Sequence, residues 1–239
     1  MSAVLELDTT TNAPTPASRA RRVMPGFGLT LGYSVAWLSL IVLIPLAGVF
    51  IKTSELGFDG LVRVWTDARV LAALQLSFGT AFVAGAFNAL AGTLVAWVLV
   101  RDSFPGKRLV DSVIDLPFAL PTIVASLVML ALYGPNSPVG VHLQHTRWGV
   151  GVALLFVTLP FMVRSVQPVL LELDREVEEA AASLGATNTV IFTKVILPAL
   201  LPAMLSGAGL AFSRAIGEFG SVVLIGGAIP GETEVSSQW

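Results

Sequence analysis

Few residues in this chain are placed to do chemistry. There is no cysteine, which removes thiolate catalysis, disulfides and sulfur-ligated metal centres. Its two histidines, His142 and His145, stand three apart in VHLQH. Such a pair can contribute to a metal site, but no carboxylate stands near it, so no metal is expected. The sequence shows no Ser/His/Asp arrangement, and no catalytic residue is expected. The only Gly-Lys step is Gly106-Lys107; Arg101 stands five residues before that glycine, and Arg108 follows in place of Ser or Thr. No phosphate-binding P-loop is therefore present. One ionisable pair sits inside an apolar run: Arg214 and Glu218, four apart in AFSRAIGEFG. Charges in such a run are costly and face a bundle interior or a water-filled path. A neutralised structural pair and a fixed cation on an anion's path both fit, and the sequence leaves both open.

The elements that would hold this pair are membrane spans. Of 239 residues, 54% are hydrophobic and 13% are charged, about half the roughly 25% charged residues usual in soluble domains. Lys and Arg number 14 against 16 Asp and Glu, so no basic excess exists to neutralise nucleic-acid phosphates. A bilayer core needs about 20 apolar residues per helix. Charge-free or nearly charge-free stretches run from Phe27 to Ile51, Leu71 to Val100, Leu116 to Leu132 and Trp148 to Val163; a fifth opens at Pro198 and continues to about Ile225. Arg147 and Arg164 bracket the fourth and can snorkel to the interfaces. Five spans give an all-α polytopic membrane protein. The first stretch is too long for a signal-peptide core and lacks a small-x-small cleavage site near Ala47.

Residues 1–26, rich in Thr, Pro, Ala and Ser and ending near Arg19, Arg21 and Arg22, read as a disordered cytoplasmic tail. Residues 27–239 form the transmembrane domain. With the N-terminus inside, inner segments hold nine Lys/Arg against four in outer segments. The positive-inside bias favours that orientation and puts the segment from 167 to 198 in the cytoplasm.

The second span has small residues at helical spacing: Ala81, Gly85 and Ala89, beside Ala84, Asn88, Gly92 and Ala96. Such rows let helices approach closely in lipid, and Asn88 is expected to make an interhelical hydrogen bond. Pro117 and Pro121 interrupt the third span in DLPFALPTIVAS. Each removes a backbone donor. A broken helix lining a path and a simple kink remain equally open.

The segment VRSVQPVLLELDREVEEAAASLGATNTVIFTKVILP carries the strongest signal. Leu170, Leu173, Val177, Ala180 or Ala181, and Leu184 recur at helical spacing, with Glu172, Glu176 and Glu179 on another face. Gly185 supplies a stop. Thr187 or Asn188 can cap a second short helix, which ends at Leu197-Pro198. Two helices with their own apolar faces suggest a docking element.

EAAASLG, nine residues, then VILP resembles the EAA loop of ABC-importer permeases. The matching positions are Glu179, Ala180, Ala181 and Gly185, then Val195, Leu197 and Pro198. DLPFALPTIVAS, LPFMVRSVQPVL and SRAIGEFGSVVLIGGAIPGETE are similar to the sulfate/thiosulfate permeases, most of all their T-type subunits, over roughly Val35 to Glu234. Molybdate permeases share a related GEFG segment. The resemblance implies a type I (MetI-like) permease bundle in the bacterial inner membrane, with a coupling loop at about 167–198 that docks on an ABC ATPase dimer. It further implies a second, W-type permease subunit and a periplasmic or lipid-anchored sulfate-binding protein. This chain would carry no cofactor, with ATP and Mg on the ATPase. Pro117, Pro121, Arg214 and Glu218 are the candidate pathway residues. Molybdate or tungstate import is the alternative substrate reading, and an ATPase-independent anion carrier is the alternative class. The resemblance also implies one more span, so the gene is expected to continue past Trp239 with about 20 apolar residues.

Overall fold

The computed structural model describes residues 26–238. Apart from Gly26, the tail expected over 1–26, with its three arginines, lies outside the described residues, as does Trp239. The chain divides into two compact units, 1–61 and 62–239.

In the first unit, Phe27–Glu55 forms the 29-residue helix α1, the expected first span lengthened by one turn. Lys52 pairs with Glu55 at 3.5 Å in its last turn. The amphipathic α2, Gly57–Thr66, crosses the division between the units.

In the second unit, Asp67 caps α3 (Ala68–Arg101), its carboxylate accepting from the Arg69 and Val70 amides at 2.8 and 3.2 Å. This satisfies donors that a helix start otherwise leaves unpaired. Ala81, Ala84, Gly85, Asn88, Gly92 and Ala96 are buried, and Ala89 is half-buried. The small residues permit close approach: a Cβ on Gly92 would stand 2.7 Å from the Met162 Cγ, and one on Gly207 2.8 Å from its Sδ. Met162 is thus wedged between two other spans. Asn88 donates to the Leu155 carbonyl at 3.0 Å and to Thr158 Oγ1 at 2.9 Å, so its amide hydrogens serve the helix contact.

The expected third span, Leu116 to Leu132, divides into α5 (Leu116–Ala119) and α6 (Thr122–Tyr133), and a separate α4 (Lys107–Ile114) precedes it. Pro117 opens α5, where its missing N–H costs nothing. The helix breaks at Leu120-Pro121, both extended. The prolines therefore act differently, and only Pro121 stands at a break.

The fourth span, α7, is Arg147–Glu172 and runs nine residues past the expected Val163 through Pro160 and Pro168. Leu170 belongs to the bundle core, 2% exposed. The apolar row expected to run unbroken from Leu170 to Leu184 is consequently divided, because the chain turns at Leu173-Asp174. Glu172 is likewise on a different helix from Glu176 and Glu179.

The fifth span departs most from its expected limits. α9 (Asn188–Ile191), a π-helical turn (Phe192–Ile196) and α10 (Leu197–Ile216) make one rod from Asn188 to Ile216. The short helix expected to end at Leu197-Pro198 instead runs on. The wide π turn accommodates the missing Pro198 donor and the crowding of its ring against the preceding turn. At the other end, the rod stops at Ile216 and not near Ile225. After Gly217–Phe219, α11 occupies Gly220–Gly226. Among the described residues, four helices are long and apolar enough to cross a membrane, and α6 is a shorter apolar helix.

Candidate functional site

Two regions hold the residues singled out by sequence. The first is the EAA segment. Asp174 opens α8 (Arg175–Ser183) by accepting from the Glu176 amide at 2.9 Å. Gly185 closes it at φ +87°. The Gly185 amide donates to the Ala182 carbonyl at 2.9 Å, and the Ala186 amide to Ala181 at 3.1 Å. This paired closure requires the left-handed glycine. Thr187 holds the N-cap position of α9 without a side-chain bond.

No residue of α8 is buried. Its outward face carries Val177, Ala180 and Leu184 with Glu176 and Glu179; Leu184 is 89% exposed. Ala181 and Glu178 turn toward the bundle and are half-buried. Glu179, Ala180 and Gly185 are exposed, Leu197 is half-buried and Pro198 is exposed. The structure therefore gathers Glu179, Ala180 and Gly185 on one exposed helix–turn unit. Leu197 and Pro198 lie beyond the π turn, inside the rod.

The sequence reading missed three ion pairs near this end. Arg101, the last residue of α3, pairs with Glu178. Arg164 of α7 makes a two-pronged contact with Asp115, Nε to Oδ1 at 2.8 Å and Nη2 to Oδ2 at 2.6 Å. It also donates to Asp111 Oδ1 at 2.8 Å. Arg164 thus fastens α4 and α5 to α7. The available signal was an aspartate opening DLPFALP and an arginine closing LPFMVR, but nothing in their spacing pairs them.

The second region is where the two helix breaks meet. A Cβ on Gly220 would lie 2.0 Å from Thr122 Oγ1 and 2.9 Å from the Ile123 amide nitrogen, so the starts of α11 and α6 are in direct contact. Ser126 of α6 accepts from the Leu224 and Ile225 amides at 3.0 and 3.3 Å. Glu218 lies in the break, 2% exposed. Its carboxylate pairs with Arg214 and accepts from the Ser221 amide at 2.8 Å. Arg214 stands in the last turn of α10, the negative end of a helix dipole, and Glu218 precedes the positive end of α11. Each charge suits its helix end. Pro121 belongs to this junction. Pro117 does not stand at the break; it opens α5, whose Phe118 packs edge-on against Phe161 at 4.9 Å.

The segment after α11 returns over the bundle with Thr233, Glu234 and Val235 buried. Glu234 takes both prongs of Arg69 at 2.7 Å, Ser236 donates its amide to Ser77 Oγ at 2.7 Å, and Ser237 donates to the Glu218 carbonyl at 2.7 Å. Of the histidines, the His142 Nδ1 lies 2.9 Å from the Gly134 carbonyl, and His145 gives its backbone amide to Ile225 at 2.7 Å. Among the described residues, no three His, Asp or Glu side chains cluster as metal ligands.

Residues 88–238 match the family described as binding-protein-dependent transport system inner membrane component. The chain is 45% identical over 228 residues to the sulfate transport system permease protein CysT of Salmonella typhimurium, covering 92% of this chain and 82% of that protein. It is 44% identical to the protein of that name from Escherichia coli, with the same two coverages. It is 47% identical over 205 residues to the CysT protein of Synechococcus elongatus, covering 83% of this chain and 74% of the relative.

Proposed function

The chain belongs to the family of binding-protein-dependent transport system inner membrane components, and from that premise we propose that it is the T-type permease subunit of an ATP-driven sulfate or thiosulfate importer. It is a multi-pass inner-membrane protein and a transporter subunit, not an enzyme. The observation that carries the substrate class is 45% identity across 92% of the chain to a sulfate permease. The molybdate or tungstate alternative and the secondary carrier draw no support from these relatives.

The importer works as a complex with an ATPase and a binding protein. In our reading, ATP and Mg reside on an ATPase dimer, the binding protein is periplasmic or lipid-anchored, and a W-type permease completes the pore. The N-terminus is cytoplasmic, which puts α8 on the ATPase side. The exposed Val177, Ala180 and Leu184, rimmed by Glu176 and Glu179, form the surface that enters a groove of the ATPase. Closure of the ATPases moves α8, and the spans rock between inward- and outward-open states. The anion passes the junction of the two broken helices, with Pro121 at one break and Arg214 and Glu218 at the other. Pro117 shapes the α4–α5 approach to it. The low dielectric there strengthens attraction between a divalent oxyanion and the guanidinium.

The test is radiolabelled sulfate uptake in a strain deleted for this gene and complemented with it, with molybdate as competitor and the ATPase followed by copurification. Sulfate uptake that excess molybdate leaves unchanged, with the ATPase retained, is expected. Uptake without any associated ATPase would refute the importer reading, and preferential molybdate uptake would refute the substrate.

A further inference from the structure

The exposed face of α8 explains docking but not how its displacement enters the membrane. None of its nine residues is buried. Its side-chain attachment to the bundle rests on Glu178 and Ala181, the only two half-buried positions in the helix. The chain flanking α8 turns at Leu173-Asp174 on one side and at left-handed Gly185 on the other. At both joints the chain changes direction, so neither continues the axis of α8 into a span.

Arg101 bridges this gap. Its side chain is 12% exposed and pairs with Glu178, which is 22% exposed. The guanidinium lies 5.3 Å from the centre of the Trp97 ring, one turn back on α3. Trp97 meets Phe192 edge-on at 5.9 Å, and Phe192 opens the π turn that joins α9 to the fifth span. One cation and the ring beneath it therefore touch both halves of the EAA segment. The cation ends a 34-residue rod whose small-residue face is locked between α7 and α10. At its opposite end, the same rod holds Glu234 through Arg69.

We propose that Arg101 is a positioning residue that makes α8 and the second span move as one body, so that force applied to α8 is delivered to α3 through the Arg101–Glu178 pair. This rests on the reading of α8 as the ATPase-docking helix. A forked guanidinium suits the task better than an ammonium, because it can hold the carboxylate while lying flat on the indole. A largely desolvated pair is also costly to part, since separation leaves each charge without its partner.

The assay uses the whole complex in proteoliposomes: this chain, its partner permease, the ATPase and the binding protein. ATPase retention, ATP hydrolysis and sulfate taken up per ATP are read together. Arg101→Gln is expected to retain the ATPase and continue hydrolysis, while sulfate per ATP falls at least tenfold. Arg101→Lys is expected to fall between Gln and wild type. The exchange Arg101→Glu with Glu178→Arg is expected to recover a substantial part of the loss. An unchanged ratio in Arg101→Gln, loss of the ATPase from that variant, an assembled exchange that recovers nothing, or failure of every variant to assemble would each overturn the proposal. Leu184→Asp, on the outward face, separates the two ideas. If it binds the ATPase as wild type does, the docking assignment has failed; if it releases the ATPase while Arg101→Gln transports normally, only the transmission role has failed.

Discussion

Gly220 offers the sharpest test of the junction between the broken helices. A methyl group there would meet Thr122 Oγ1 at 2.0 Å, Thr122 Cβ at 2.8 Å and the Ile123 amide nitrogen at 2.9 Å, where ordinary contact begins at 3.4 Å. The hydroxyl can rotate away, but the Cβ and backbone nitrogen cannot. Relieving those two contacts requires the starts of α6 and α11 to separate by 0.5–0.6 Å, the difference between 3.4 Å and 2.9 or 2.8 Å. Ser126, which accepts from Leu224 and Ile225, ties the same helices one turn further on and opposes the separation. Overpacking of this kind costs about 1–3 kcal/mol, so Gly220→Ala should lower the melting temperature of the purified complex by several degrees. Uptake should fall more steeply than assembly if, as proposed, the anion passes this junction, because the strain then falls on its path. Thr122→Gly in the same chain removes both side-chain contacts and should restore part of the loss, leaving the Ile123 contact. The assay is thermal unfolding in detergent beside sulfate uptake in cells, for both single variants and the double. Wild-type melting and uptake in Gly220→Ala would refute the close approach, and with it the claim that the two breaks form one site.

Other expectations follow from the same geometry. Gly185→Val places a β-branched residue at φ +87° with no steric obstacle besides its own backbone; a local penalty of about 1–2 kcal/mol should weaken ATPase retention in pull-downs while membrane insertion is preserved. Arg164→Met leaves Asp111 and Asp115 facing each other without their cation; because the three side chains are 29–47% exposed, the loss should be about 1–2 kcal/mol, below that of a fully buried pair, and Asp115→Asn should recover part of it in a melting assay. Arg214→Ala with Glu218→Ala removes both charges together; normal assembly with lost uptake would support the pathway role, whereas normal uptake would leave the pair a structural one. Reporters fused after Lys107 and Asn188 should read cytoplasmic, and those near Asp59 and Asn136 external; an external signal at Asn188 would remove the ATPase-docking surface from the side where it is needed.

The spans, the tight packing of the second span and the left-handed stop at Gly185 were all legible in the sequence, because each depends on local composition or short-range spacing. A long charge-free run has few options besides a membrane helix, small residues at i, i+4 mark a close contact, and a glycine between a helix and a new cap marks a turn. Long-range partners were not legible. Asp111, Asp115 and Arg164 are ordinary interfacial charges until α4, α5 and α7 are brought together, and Arg101 is only a cation at the end of α3 until α8 folds back against it. The limits of the fifth span depended on tertiary structure as well. The apolar run from Pro198 to Ile225 reads as one helix, but in the fold it parts at Gly217–Phe219, where Gly220 comes to lie against Thr122. The carboxylate of Glu218 could be buried there because the fold brings it to Arg214 and to the free amide of Ser221 together. Sequence spacing supplied the first partner at i+4, but the second exists only once the helix has broken.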